Sequence, residues 1–286
     1  MEKGLFHDLY KRLNMLDVRA YSPDQLSGLL HGYLTVYSMV RVYPWLEEDF
    51  GHPGGIHEQA KEIARLYSGQ LRNEDVPVDK RAGYAADLMD VYQVYSDLGY
   101  LKNGVDVAYE ILSARENGKI MLPCRTPNVC RLLCNCYYFA GDEECGELAG
   151  RLVMEALGYI RGGDRGVLLT WWDAICLYDD VIGTMELPKE EQERLNEERA
   201  RLLGSVEREE NERIECFRQM GQDADMGLVA EVFYILAKRE FEMCNGLHGK
   251  KCGISGKGKP SRLFRIGQDK DKNNVWHRDS SLGRES

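Results

Sequence analysis

The chain has 286 residues, 43% of them hydrophobic, with only eight prolines and a net charge of −10. That is a globular composition, long enough to bury a sizeable core. The negative balance argues against nucleic acid as the main partner, because a phosphate backbone calls for a positive surface. No apolar run approaches the roughly 20 residues that span a bilayer. The N-terminal stretch "MEKGLFHDLYKRLNML" has charges throughout and no apolar export core. The expectation is a cytoplasmic protein whose partners are neither membrane nor nucleic acid.

Apolar residues recur every three or four positions and strand-like alternation is scarce, so the spacing predicts an all-α chain. In chain order the predicted helices are about 3–16, 24–46, 55–68, 82–96, 100–115, 127–140, 143–161, 166–183, 188–218 and 225–244. Ser22 before Pro23 reads as an N-cap with proline in the first turn. Pro188, followed by acids, starts a later helix in the same way. The turns are "GHPGG" at 51–55 and "GGDRG" at 162–166. From 249 onward ten Lys/Arg stand against four Asp/Glu, a local +6, among Gly, Ser and Asn. The predicted division is a helical-pair domain over 1–245 and a basic, poorly ordered tail over 246–286.

A faint repeat with an offset of 45 residues aligns "DLMDVYQVYSDLGYLKNGVDVAYEIL" with "LLCNCYYFAGDEECGELAGRLVMEAL". It places Asp97 on Asp142, Tyr100 on Cys145, Gly104 on Ala149 and Leu112 on Leu157. Each unit reads as an apolar helix, a tight turn with an acid, and a second helix bearing small residues. Such a hairpin cannot bury both apolar faces alone, so it must stack on similar hairpins. Segments 24–46 with 55–68, and 166–183 with 188–218, fit the same plan. The expected architecture is stacked antiparallel helix pairs, either closed as an α/α toroid or open as a superhelix.

The helix followed by "AGDEEC" or "SDLGYL" resembles the repeat of (α/α) toroid proteins, among them helical-barrel carbohydrate-active enzymes. The resemblance spans roughly 24–245 and implies a polar funnel lined by the first helix of each pair. "GLLHG" at 28–32 and "CNGLHG" at 244–249 are similar to the Gly-His-Gly turns of lanthionine-cyclase-like toroids, which hold zinc with cysteine and histidine. "CRTPNVCRLL" resembles the Cys-Cys-Pro-Pro-Asn segment of cysteine-dependent arabinofuranosidases. That likeness would make Cys124 a nucleophile and match Pro127 and Asn128, with Arg125 in place of the second cysteine. "ADLMD" resembles the aspartate-rich motif of isoprenoid synthases, with Ala86 at its first acidic position.

Five of the nine cysteines fall between Cys124 and Cys145. Cys130, Cys134 and Cys136 sit among Leu132, Leu133 and Phe139 without a C-x2-C knuckle, so they read as packing residues. Cys124 precedes a helix, where a thiol can gain nucleophilicity. Cys244, His248 and Cys252 supply three metal-type donors with no evident fourth. In "TWWDAICLYDD", Asp173 and Asp180 share a helical face beside Trp172, a combination suited to acid/base work on a stacked sugar. Asp87 and Asp90 lie one turn apart behind Tyr84, and His31 is set in an apolar helix. The charged run 189–213 reads as an exposed helix with a narrow stripe of Leu195, Leu202, Leu203 and Val206.

The catalytic candidates are therefore Asp173, Asp87, His31 and Cys124, and the substrate-binding candidates are Trp172, Tyr84, Asn128 and Arg131. No metal and no cofactor are expected. The functional expectation is a protein that binds or processes carbohydrate, with glycoside hydrolysis by paired aspartates as its enzymatic form. The alternative is a non-enzymatic helical scaffold for another protein.

Overall fold

A computed structural model describes residues 2–116, 127–161, 182 and 187–251. Every regular element among them is helical, as the periodicity predicts. The α-helices are α1 Glu2–Leu13, α2 Ser27–Val42, α3 Glu47–Phe50, α4 Pro53–Gln70, α5 Val78–Tyr95, α6 Leu98–Glu116, α7 Pro127–Ala140, α8 Glu143–Arg161, α9 Lys189–Met220 and α10 Met226–Lys251. The last helix runs six residues past the expected domain end at 245. The predicted segment 166–183 lies, but for Ile182, outside the described residues.

Three of the four expected hairpins form among the described residues: α2 packs on α4, α5 on α6 and α7 on α8. The leading helices are also neighbours, α2 touching α5 and α5 packing on α7. A row of α2, α5 and α7 thus stands behind a row of α4, α6 and α8. The final helix α10 packs on α2, with α1 and α9 against α10. The C-terminal pair is therefore joined to the N-terminal end of the row.

The repeat shows its cause in the two turns. Ser96 and Gly141 end α5 and α7 in the left-handed conformation, with φ of 59° and 68°. Their N–H groups donate to the carbonyls of Tyr92 and Tyr137, at 2.7 and 3.0 Å. This is the reversal that stops a helix and satisfies its orphan carbonyls. The next residue in each unit, Asp97 or Asp142, caps the following helix. Its Oδ1 accepts from Gly99 N at 2.9 Å in one turn and from Cys145 N at 2.9 Å in the other. The small residues explain the close packing. A Cβ at Gly104 would lie 2.6 Å from Met89, and one at Gly146 would lie 2.6 Å from the Tyr137 ring.

Two expectations change. The helix predicted over 24–46 is three pieces: a 3-10 turn at Pro23–Gln25, α2, and a second 3-10 turn at Pro44–Leu46. Pro44 disfavours helical geometry at Tyr43, which takes φ −125° and ψ 78°. "GLLHG" is not a turn but lies within the first two turns of α2. Gly28 and Gly32 are bare because α10 crosses them. A Cβ would meet the Ala230 carbonyl carbon at 2.7 Å and the Phe233 ring at 2.3 Å. Phe233 in turn packs on Phe6, Tyr10 and Tyr33 at centroid distances of 5.9, 6.2 and 5.5 Å. One aromatic cluster thus fastens α1 and α10 to α2.

Helix α9 is long, charged and half-embedded. Leu195, Val206, Ile214 and Phe217 are buried on one stripe together with Arg199 and Glu210. Leu203, expected on that stripe, is 40% exposed. Glu210 pairs with Lys238 of α10 and accepts from Arg239 Nη2 at 3.1 Å.

Candidate functional site

Three neighbouring leading helices each place two polar residues, three or four apart, on faces that meet. The spacing matters because i and i+3 or i+4 stack on one side of a helix. Ser27 and His31 come from α2, Asp87 and Asp90 from α5, and Arg131 and Asn135 from α7. Asp87 and Asp90 are only 2% and 7% exposed, so their charges need partners. Asp87 Oδ2 accepts from Ser27 Oγ at 2.9 Å, and Oδ1 lies 3.0 Å from His31 Nε2. Arg131 Nη2 donates to Asp87 Oδ1 and, at 2.7 Å, to Asp90 Oδ2. Asn135 Nδ2 lies 3.4 Å from Asp90 Oδ1 and from the Ala86 carbonyl. Tyr234 of α10 sets its ring 5.4 Å from that of His31.

Burial alone would raise the pKa of Asp87. The Arg131 guanidinium and His31 more than offset it and hold the carboxyl well below the usual carboxylate range. Asp87 is therefore an anion that fixes His31 and Arg131 in place. A group that holds its proton so weakly is a poor general acid near neutrality.

A second, more exposed cluster adjoins the first. Asp24 accepts from Lys80 Nζ and from the Tyr84 hydroxyl. Tyr84 stacks on Tyr67 with centroids 4.7 Å apart, and Tyr67 OH donates to the Pro23 carbonyl at 3.3 Å. Burial, then the Asp24 carboxylate, pushes the Tyr84 phenol up from its ordinary value. Asp24 itself is lowered: burial opposes ionisation, but the bonds from Lys80 and Tyr84 prevail. Asn128, in the first turn of α7, packs against Gly83, where a Cβ would lie 3.1 Å from its side chain.

Of the residues singled out in the sequence, His31, Asp87 and Arg131 meet directly. Tyr84 stands one turn before Asp87, and Asn128 one turn before Arg131. Cys124, Trp172 and Asp173 lie outside the described residues, as do Asp180, Cys252 and the side chain of His248. Ser27, Asn135, Asp24 and Tyr67 belong to the clusters but carry no motif. The available signal was a polar pair four apart on an otherwise apolar helix, in both "SGLLH" and "RLLCN".

Cys130, Cys134 and Cys136 are buried among the core, as their surroundings suggest, and Cys145 joins them. The hydrogen bond with Cys136, then burial, drives the Cys145 thiol far above its ordinary pKa. These are inert packing thiols.

Among the described residues the donors grouped as a metal would need are His31, Asp87 and Asp90, with ligand atoms within 4.8 Å of one another. No described helix is long and apolar enough to cross a membrane. The fold and site define an all-α protein of stacked helix pairs with a buried acid–histidine–arginine cluster on its leading helices. No family model, no curated protein and no solved structure matches the chain.

Proposed function

We propose that the chain binds a polar, saccharide-like ligand over the leading helices α2, α5 and α7, as its resemblance to helical-barrel carbohydrate-active enzymes implies, and that Asp87 acts there as an anchor. The observation that carries this reading is the convergence of His31, Asp87 and Arg131 from three successive hairpins. Packed apolar helices do not collect charged groups without cost, since each buried ion loses hydration worth several kcal/mol. The stacked Tyr67–Tyr84 pair beside the cluster is buried, and the groups it presents to a polar ligand are the exposed Asp24 and Lys80 bonded at its edge. The packing of α10 on α2 adds the C-terminal pair to the row beside the first hairpin, which is compatible with a toroid and with an open superhelix alike. In the hydrolytic version of this reading, Asp173 and Trp172 supply the acid/base group and the stacking platform.

Calorimetric titration of the full chain with neutral and acidic oligosaccharides tests it. Binding that weakens in Tyr84→Phe and Asn128→Ala, with melting temperature unchanged, is expected. Absence of heat across the panel at millimolar ligand overturns the reading. If a ligand is found, Asp173→Asn should bind it but not cleave it.

A second reading, a scaffold for another protein, has its own support. Asp87 already accepts from Ser27, His31 and Arg131, so the cluster is complete without a ligand. The exposed surface also carries large apolar residues, Trp45 at 62% and Leu98 at 69%.

A further inference from the structure

We propose that the surface around Trp45, just past the C-terminal end of α2, is a docking site for the chain's own basic segment 257–266, which lies outside the described residues. The inference stands apart from the saccharide reading, since it concerns the other end of α2 from Ser27 and His31.

Trp45 sits in the 3-10 turn that follows α2 and is 62% exposed, and Val42, three residues earlier, is 48% exposed. An indole combines a large apolar face with a polar N–H, so it gains much from being covered. The ring of Trp45 stands 5.1 Å from that of Tyr43, a buried side chain whose hydroxyl donates to Asn245 Oδ1 of α10 at 2.6 Å. The acids of α3 follow directly in the chain. Glu47, Glu48 and Asp49 are exposed, and neither Glu47 nor Glu48 has an ion-pair partner among the described residues. An uncovered indole thus stands beside unneutralised carboxylates.

The chain itself brings a segment of matching chemistry to this place. From Asn245, six residues of helix carry the chain to Lys251 at the end of α10, a rise of about 9 Å. Residues 252–262 then separate Lys251 from Leu263 and include Gly253, Gly256 and Gly258. A glycine-containing spacer of that length covers about 17–20 Å on average, enough to return from the end of α10 to Trp45. The segment reads "KGKPSRLFRI": Lys257, Lys259, Arg262 and Arg265 with no acid among them, around Leu263, Phe264 and Ile266. The apolar three would cover Trp45 and Val42 while the cations face Glu47 and Glu48. Tethering makes this occupant the favoured one, because a short linker gives an effective concentration in the millimolar range.

Zero-length carbodiimide coupling of the full chain tests the proposal, because it joins a carboxylate to a lysine amine only where the two meet. Mass spectrometry is expected to find peptides that pair Glu47 or Glu48 with Lys257 or Lys259. The reaction is run on an equal mixture of isotope-labelled and unlabelled chain. Coupled peptides of one isotope only are expected; mixed pairs would make a second copy the occupant and overturn the proposal. Phe264→Ser should lower the yield about fivefold or more, as should Trp45→Ser once its melting temperature shows it folded. Salt near 0.5 M should lower it too, by screening the charges. Lysines coupled evenly to exposed acids all over the chain, or a yield at Glu47 and Glu48 that Phe264→Ser leaves unchanged, would equally overturn it.

Discussion

Gly32 of α2 lies against the ring of Phe233 of α10, so close that a Cβ would be 2.3 Å from a ring carbon. One turn earlier, Gly28 meets the Ala230 backbone in the same way, at 2.7 Å. Helix α10 can therefore cross α2 only because two side chains are missing. Alanine at either position gains about 1 kcal/mol of helix propensity. It also forces the helices apart, and overpacking of this kind costs about 1–3 kcal/mol. At Gly28 the obstacle is backbone, which cannot turn aside. Gly28→Ala is expected to lose about 1–2 kcal/mol net in urea unfolding, and a gain in stability would show that the crossing is loose.

Asp87 ties three helices together, and removing its charge leaves Arg131 and His31 short of a partner. Asp87→Asn is expected to cost about 3–5 kcal/mol at neutral pH, the scale for breaking a buried ion pair from one side. The pH dependence has a definite sign. The folded-state pKa is depressed, so the stabilisation is fully present above the unfolded value near 3.9. It fades as pH falls from there towards the lower folded value. The stability gap between wild type and Asp87→Asn should therefore narrow between about pH 4 and pH 2. A gap that stays constant across that range would mean the carboxylate is not held as described.

The paired turns give a smaller, cleaner test. Ser96 adopts φ 59°, where Gly141 of the other repeat adopts 68°. A side chain in that conformation costs roughly 1 kcal/mol. Ser96→Gly should stabilise the chain by about 0.5–1 kcal/mol, and Gly141→Ala should destabilise it by a similar amount. Equal melting temperatures for all three proteins would refute the equivalence of the two turns.

Thiol chemistry separates the cysteines. Cys130, Cys134, Cys136 and Cys145 are buried, whereas Cys216 is exposed. With a thiol reagent in native buffer, Cys216 is expected to be labelled well before those four, as peptide mapping of the modified protein would reveal. Prompt labelling of Cys136 or Cys145 would place them at a reactive surface instead.

Local pattern determined much of this protein. The 3.6-residue spacing of apolar positions set the helices, and the 45-residue repeat set the hairpins. The acids at 97 and 142 marked the turns, since capping depends only on residues near in sequence. Asp87, His31, Tyr84, Asn128 and Arg131 stood out as polar residues on helices rich in apolar ones. Their mutual contacts could not be read in the same way. Which atom of Arg131 meets which oxygen depends on the rotation of three helices separated by 44 to 60 residues of chain. The glycines of "GLLHG" carry the same lesson: their meaning lies in Phe233 and Ala230, some 200 residues away. Backbone hydrogen bonding is satisfied within a helix and is legible there, whereas the crossing of two helices is settled only when their side chains compete for one volume.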